Sequence, residues 1–230
     1  MTPLAARLRV SRLFGPLEEA WLERFAAEGR LRQLDEGAAL WRSGDAATAF
    51  TIIQRGLVQI VRTVPGGERA TLGIFGPRES VGDVAVLGGR PYPADAIAAS
   101  TAVEILRVPA GPVLAACEGD PALGRAMQRS LLEHTEALRS KIDILSAGGV
   151  PARLAALLRY LAERFGDELE DGSTFVAVPL SRGALASLVS ARVETVIRTM
   201  SPWQKAGVVR STPEGFSIDA AALEALVARE

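Results

Sequence analysis

Apolar residues recur along the chain with two different periods. In residues 13–29, LFGPLEEAWLERFAAEG, Leu17, Trp21, Leu22 and Phe25 fall on one face, which predicts a short amphipathic helix stopped at Gly29. From Leu31 to Val108 the pattern changes to short runs rich in Val, Ile, Leu and Thr: FTIIQ, LVQIVRT, RATLGIF and VEILRV. Gly44, Gly56, Gly66 with Gly67, Gly76, Gly82, and Gly88 with Gly89 stand between them. Short strands punctuated by glycine turns at near-regular spacing predict an all-β sandwich or barrel, here a jelly roll.

The helical period then returns over Asp120 to Ala147. Asp120 is placed to cap a helix, Pro121 suits its first position, and no further proline interrupts the stretch. Leu123, Met127, Leu131, Leu138, Ile142 and Leu145 approximate a heptad seam, with His134 on the same line. A stripe this narrow on so long a helix suits pairing with a second copy of itself, although packing on its own barrel uses the same periodicity. SAGGVP, residues 146–151, breaks the helix with two glycines and a proline, as a hinge does. The expected organisation is a helix and jelly roll over 1–119, a dimerisation helix over 120–147, and a second domain over 148–230. That second domain reads as an amphipathic helix, the acidic loop GDELEDGST, a short strand FVAVPL and a helix pair. A strand, Pro-Glu-Gly turn, strand and a helix capped by Asp219 close it. The fold class is therefore α+β, ending in a winged helix-turn-helix.

In LSRGALASLVSARVETVIRTM, Ser181 can cap a helix through Leu188, VSA makes a bend, and Arg192 to Met200 forms the second helix. Leu185, Ala186, Leu188, Val189, Val196 and Ile197 can close a small core between the two. Pro202 removes an N–H that would bond the Arg198 carbonyl, so the second helix is predicted to end or bend near Met200. In such pairs the second helix enters the major groove, and here its exposed start carries Arg192, Val193, Glu194, Thr195 and Arg198. Arg198 can fork onto guanine, Glu194 can accept from a cytosine amino group, and Thr195 and Ser181 can donate to phosphates. A solvated ion pair between Glu194 and Arg198 is the plainer alternative.

Composition narrows the choice of chemistry. A net charge of −1 excludes a uniformly basic nucleic-acid coat, yet Ser181 to Arg210 carries a local net +4, with Glu194 its lone acid. With one cysteine, Cys117, there is no intrachain disulfide and no thiolate cluster for zinc or iron-sulfur, and a reducing cytoplasm fits. No secretory leader and no apolar run of about 18 residues appears, so neither export nor a membrane span is expected. A cupin-type metalloenzyme needs two or three histidines in the barrel, and the 31–108 stretch has none. No catalytic, metal or cofactor site is expected.

Four elements in this order resemble the cyclic AMP receptor protein and fumarate-nitrate regulator superfamily of bacterial transcription factors. LWRSGDAATAFTIIQRGLVQI is similar to the family's barrel opening, VGDVAVLGGRPYPADAIA to its effector-pocket segment, and the long helix and helix-turn-helix follow. By that resemblance Glu194 and Arg198 match the pair that reads the half-site, and Ser181, Arg182 and Thr195 match phosphate contacts, with Arg192 beside them. The same resemblance implies a pocket around Gly82, Asp83, Val84, Arg90 and Tyr92, with Leu138 and Arg139 of the dimer helix aligned to the positions that meet adenine. Where the cyclic AMP branch holds phosphate with an Arg-Ser pair, this chain has Pro93 and Ala94, so cyclic AMP is not the expected effector. Arg90, displaced by three residues, leaves a different anion open. Ser190 stands where the family has glycine at the turn, and a left-handed backbone there costs about 1–2 kcal/mol. His134 and Cys117 are read as a seam or surface residue and a small buried residue. The expected protein is a homodimeric regulator of double-stranded DNA with a roughly palindromic operator, RNA polymerase as a further partner and an unidentified effector. A barrel without sensory function is the alternative.

Overall fold

The structure, a computed structural model, describes residues 1–63 and 69–227; the predicted Gly66–Gly67 turn and the end of the last predicted helix lie outside them. The chain divides into two units, Met1–Ala98 with Ala102–Leu138, and Ala99–Thr101 with Arg139–Glu230.

The first unit opens with a helix that carries no clear periodic stripe. α1 (Pro3–Arg9) starts at Thr2, whose Oγ1 accepts the Ala5 N–H at 3.4 Å, and has proline in its first turn. α2 (Glu19–Ala27) begins later than the predicted segment. Leu17 is buried ahead of it in a turn, because Pro16 disfavours helical backbone at Gly15. Then come β1 (Arg30–Asp35), β2 (Ala39–Trp41), β3 (Ala49–Arg55), β4 (Val58–Thr63), β5 (Arg69–Phe75), β6 (Ser80–Val81), the short α3 (Asp83–Leu87), β7 (Asp95–Ala98), β8 (Ala102–Pro109) and α4 (Ala110–Cys117). They form two four-stranded antiparallel sheets, ordered β1-β8-β3-β6 and β2-β7-β4-β5: the jelly roll.

Alternation along β3 and β8 serves two cores. Phe50, Ile52, Leu106 and Val108 pack with Leu8, Phe14, Leu22 and Phe25 of the N-terminal segment. Ile53, Val103 and Ile105 face the opposite way, meeting Val58, Phe75 and Trp41 from the other sheet. Burial on both faces explains why FTII is buried at every position and does not alternate between apolar and exposed polar residues.

α5 (Pro121–Ser146) is the long helix. Asp120 caps it, Oδ1 accepting the Ala122 N–H at 2.8 Å, while Oδ2 accepts the Trp21 indole N–H at 2.7 Å. The proposed seam does not run its whole length. Leu123 and Met127 are buried in the α1–α2 core of their own unit, so they are core residues and not seam residues. Leu131, Leu138, Ile142 and Leu145 remain exposed. The division between units also falls inside this helix, at Leu138/Arg139, ahead of the glycine pair where the sequence puts the boundary. Its last turns go with the second unit because Lys141 and Ile144 are buried there.

The second unit continues with α6 (Val150–Phe165), which buries Leu154, Leu157, Leu158 and Leu161. β9 (Gly166–Glu168) and β10 (Thr174–Val176) follow, then α7 (Arg182–Leu188), α8 (Val193–Lys205), β11 (Val209–Ser211), β12 (Phe216–Ile218) and α9 (Ala220–Val227). The stretch read as an acidic loop therefore begins as a strand: β9 pairs with β10 and completes a four-stranded wing ordered β11-β12-β10-β9. Gly215, in the predicted Pro-Glu-Gly turn, is required by space, since a Cβ there would sit 2.0 Å from the Val176 carbonyl oxygen. Asp219 caps α9, accepting the Ala222 N–H at 2.9 Å.

Candidate functional site

α7 and α8 are built as the sequence suggests at their starts. Ser181 caps α7, its Oγ accepting the Ala184 N–H at 2.9 Å, and Leu185, Ala186, Leu188, Val189 and Val196 are buried between the helices. The connection turns at Ser190, which has a φ of 52°, the left-handed conformation that favours glycine. Arg192 lies at the N-cap of α8 rather than inside it. One expectation fails on this helix and another is narrowed. Ile197 is 50% exposed and closes no core. Pro202 does not end the helix, which runs on to Lys205; buried Trp203 anchors the turn beyond the proline, and the Arg198 residue whose carbonyl loses its partner is on the solvent side.

The outward face of α8 therefore presents Val193, Glu194, Ile197 and Arg198, while Val196, Thr199, Met200 and Trp203 hold the inward face. No ion pair joins Glu194 to Arg198 among the described residues, so neither charge is consumed by the other. Thr195 is half-buried at the first turn. Arg182 at the start of α7 is also half-buried, and that burial pulls its guanidinium below its ordinary value.

Two cations unanticipated by the sequence grip the turn between the helices. Lys141 Nζ donates to the Leu188 carbonyl, and Arg153 Nη1 donates to the Val189 carbonyl at 2.8 Å and to that of Ser190 at 3.4 Å. These are carbonyls at the end of α7, where unpaired acceptors and the helix dipole both favour positive charge. Burial, with Arg153 nearby, pulls the Lys141 ammonium down to about 8. Nothing in the sequence marks a buried lysine on a face that otherwise reads as polar.

In the first unit a cavity of about 380 Å³ opens beside α3. Gly82, Val84, Arg90, Tyr92 and Leu138 line it, as the sequence places them. Asp83 and Arg139 do not. Asp83 is fully buried behind the wall, its Oδ2 accepting from the Ser80 and Ser130 hydroxyls. Burial pushes its carboxyl up, against the opposing pull of His134 and the two serines. Arg139 is exposed and belongs to the second unit. The wall is aromatic: Trp41 stacks on Tyr92 with centroids 4.0 Å apart, and Phe75 meets His134 at 4.9 Å. Gly82, with a φ of 87°, allows this, because a Cβ there would lie 2.8 Å from Tyr92 and 2.9 Å from Trp41. His134 is a wall residue and not part of the exposed seam; its Nδ1 sits 2.9 Å from the Ser130 carbonyl. Trp41, Phe75 and His134 come together from distant parts of the chain, so spacing gives no sign of them. Cys117 is half-buried against the helical core, and burial pushes its thiol up.

Among the described residues no group of His, Cys, Asp and Glu is arranged to hold a metal ion, and no helix is long and apolar enough to cross a membrane. Residues 31–120 match the cyclic nucleotide-binding domain and residues 152–226 the Crp-like helix-turn-helix domain. The chain is 27% identical over 222 residues to the nitrogen fixation regulation protein FixK of Bradyrhizobium diazoefficiens, covering 96% of this chain and 92% of that one. It is 27% identical over 182 residues to the CRP-like cAMP-activated global transcriptional regulator of Mycobacterium tuberculosis, covering 79% and 80%. Its fold is that of the FixK2 structure from Bradyrhizobium japonicum, with a TM-score of 0.70 at 16% identity over 86% of this chain and 96% of that one. A jelly roll, a long helix and a winged helix-turn-helix, matched in this order, make the chain a DNA-binding transcription regulator of the Crp/Fnr family and not an enzyme.

Proposed function

We propose that the protein acts as a homodimer on a roughly palindromic operator, with α8 of each copy in successive major grooves about 34 Å apart. Glu194 and Arg198 read base edges, while Ser181, Arg182, Arg192 and Thr195 set the helices on the backbone. The observation that carries this reading is the outward face of α8, where an acid and an arginine one turn apart stand exposed and unpaired with each other. A base-reading carboxylate beside phosphates is tolerated only if a base amino group receives it, which is what an unpaired Glu194 is free to do. Pairing runs through Leu138, Ile142 and Leu145 with Leu131, the apolar residues that α5 leaves exposed.

The barrel works as a small-molecule sensor whose effector is not cyclic AMP. Its cavity supports this over a purely structural barrel, and Pro93 and Ala94 in the lining offer no side-chain donor to a cyclic phosphate. The protein works in the cytoplasm, with RNA polymerase as its further partner. Selection of bound sequences from a random DNA pool, at a stated salt concentration and without added effector, tests the reading. Recovery of a twofold motif is expected. Enrichment of a single unpaired half-site would refute dimeric reading, and micromolar binding of cyclic AMP in a calorimeter would refute the effector assignment.

A further inference from the structure

We propose that the barrel cavity receives a small apolar organic acid, its hydrocarbon or aromatic body against Trp41, Phe75, Tyr92 and Leu138 and its single carboxylate on Arg90. The inference rests on the reading of the barrel as a sensor and names the chemistry of what it senses.

Size sets the first limit. At about 380 Å³ the cavity lies at the small end of the range of about 300–1,000 Å³ that small-molecule sites span. Wall chemistry sets the second. The stacked Trp41 and Tyr92, the Phe75 ring and Leu138 offer no hydrogen-bonding partner in the middle of the cavity, so a polar body would be stripped of water with nothing in return. The imidazole of His134 presents its ring to Phe75, with Nδ1 taken up at the Ser130 carbonyl and Nε2 buried without a partner among the described residues, so it is a place for a polar atom of the ligand. A sugar, with a hydroxyl on nearly every carbon, is not matched by so apolar a wall.

Charge fixes the remaining feature. Arg90 lines the cavity and is exposed, and its side chain makes no hydrogen bond or ion pair among the described residues. Arg42, on the neighbouring strand end, is by contrast tied to Asp95 at 2.9 Å. Among the described residues no carboxylate belongs to the lining. Asp83, next to the lining residues Gly82 and Val84, is turned behind the wall, its Oδ2 accepting from the Ser80 and Ser130 hydroxyls, so its carboxylate does not face the cavity. One guanidinium presents one fork, which matches one carboxylate. A phosphorylated or doubly charged ligand would leave most of its charge unmet.

The test uses three probes of matched length, octanoate, octan-1-ol and octylamine, with cyclic AMP alongside, titrated calorimetrically into the full-length protein. Octanoate is expected to bind about tenfold more tightly than octanol, with octylamine weakest, and the acid's advantage should shrink as salt is raised. Arg90→Gln, a change at an exposed side chain, should bring octanoate down to the level of octanol. Equal binding of octanoate and octanol to the unaltered protein, or binding of none of the three, would overturn the organic-acid assignment. Either result leaves DNA reading standing, because operator selection tests that separately. Cyclic AMP binding more tightly than octanoate would overturn both this inference and the effector assignment above.

Discussion

Replacing Ile142 by serine removes the most exposed member of the apolar line on α5, and its effect can be worked from that line. Leu131, Leu138, Ile142 and Leu145 are each 38–64% exposed, together about two whole side chains. Two copies set face to face bury about four, a gross gain of about 6–12 kcal/mol. Association costs about 4–15 kcal/mol, so gain and cost are of one size and the loss of a single member is felt in full. Ile142, at 64%, accounts for about a third of the line. Ile142→Ser in both copies should remove about 2–4 kcal/mol, a rise of about 30- to 900-fold in the dimer dissociation constant. Sedimentation equilibrium over a dilution series measures it directly. Leu132 supplies the control: it is 66% exposed, yet lies about 100° around the helix from Leu131. Leu132→Ser should shift the constant by less than about threefold. Equal effects of the two substitutions, or none from Ile142→Ser, would refute pairing along this line.

Lys141 gives a pH signature. Its ammonium titrates at about 8 in the folded chain against an ordinary 10.5, so the unfolded chain holds the proton more firmly and stability rises as pH climbs through that window. The burial penalty, at most about 3 kcal/mol, is fully present below that window, and Lys141→Met should abolish the slope seen in urea unfolding across it. Parallel pH curves for the two proteins would contradict a buried charge. Ser190→Gly should stabilise the second unit by about 1 kcal/mol, since glycine relieves the left-handed strain at slightly greater entropic cost; no rise in the midpoint of thermal unfolding would count against strain there. Glu194→Ala should cost about 1–3 kcal/mol of discrimination at one base position. Arg182→Ala should weaken operator and random DNA alike and flatten the salt dependence by about one unit of slope. Equal losses on both DNAs for Glu194→Ala would remove its base-reading role.

What the sequence made legible was what it punctuates. Asp120 with Pro121 and the Gly148–Gly149–Pro151 break delimit α5 closely, and Ser181 marks the start of α7, because capping and helix termination are local events. Periodicity could not say what a stripe packs on. Leu123, Met127 and Ile142 share one spacing, yet the first two fill their own core and the third faces solvent. Ile197 failed likewise, the single step of about 100° from Val196 separating core from surface. α4, almost wholly apolar, offers no stripe, and β9 is hidden behind acidic residues that signal a loop. The cavity was legible only between Gly82 and Tyr92 and at Leu138. Its aromatic wall is assembled from β2, β5 and α5, and contact across such separations leaves no local trace.

Leu138 stands in two places at once, in the cavity lining and on the exposed line of α5. Under the pairing described, a molecule seated against it alters the surface that the second copy meets. Linkage then runs in both directions: whatever factor occupancy applies to subunit affinity, subunit association applies to occupancy. Sensitivity becomes a property of abundance, and a cell that doubles its stock of this protein also retunes the concentration at which it responds.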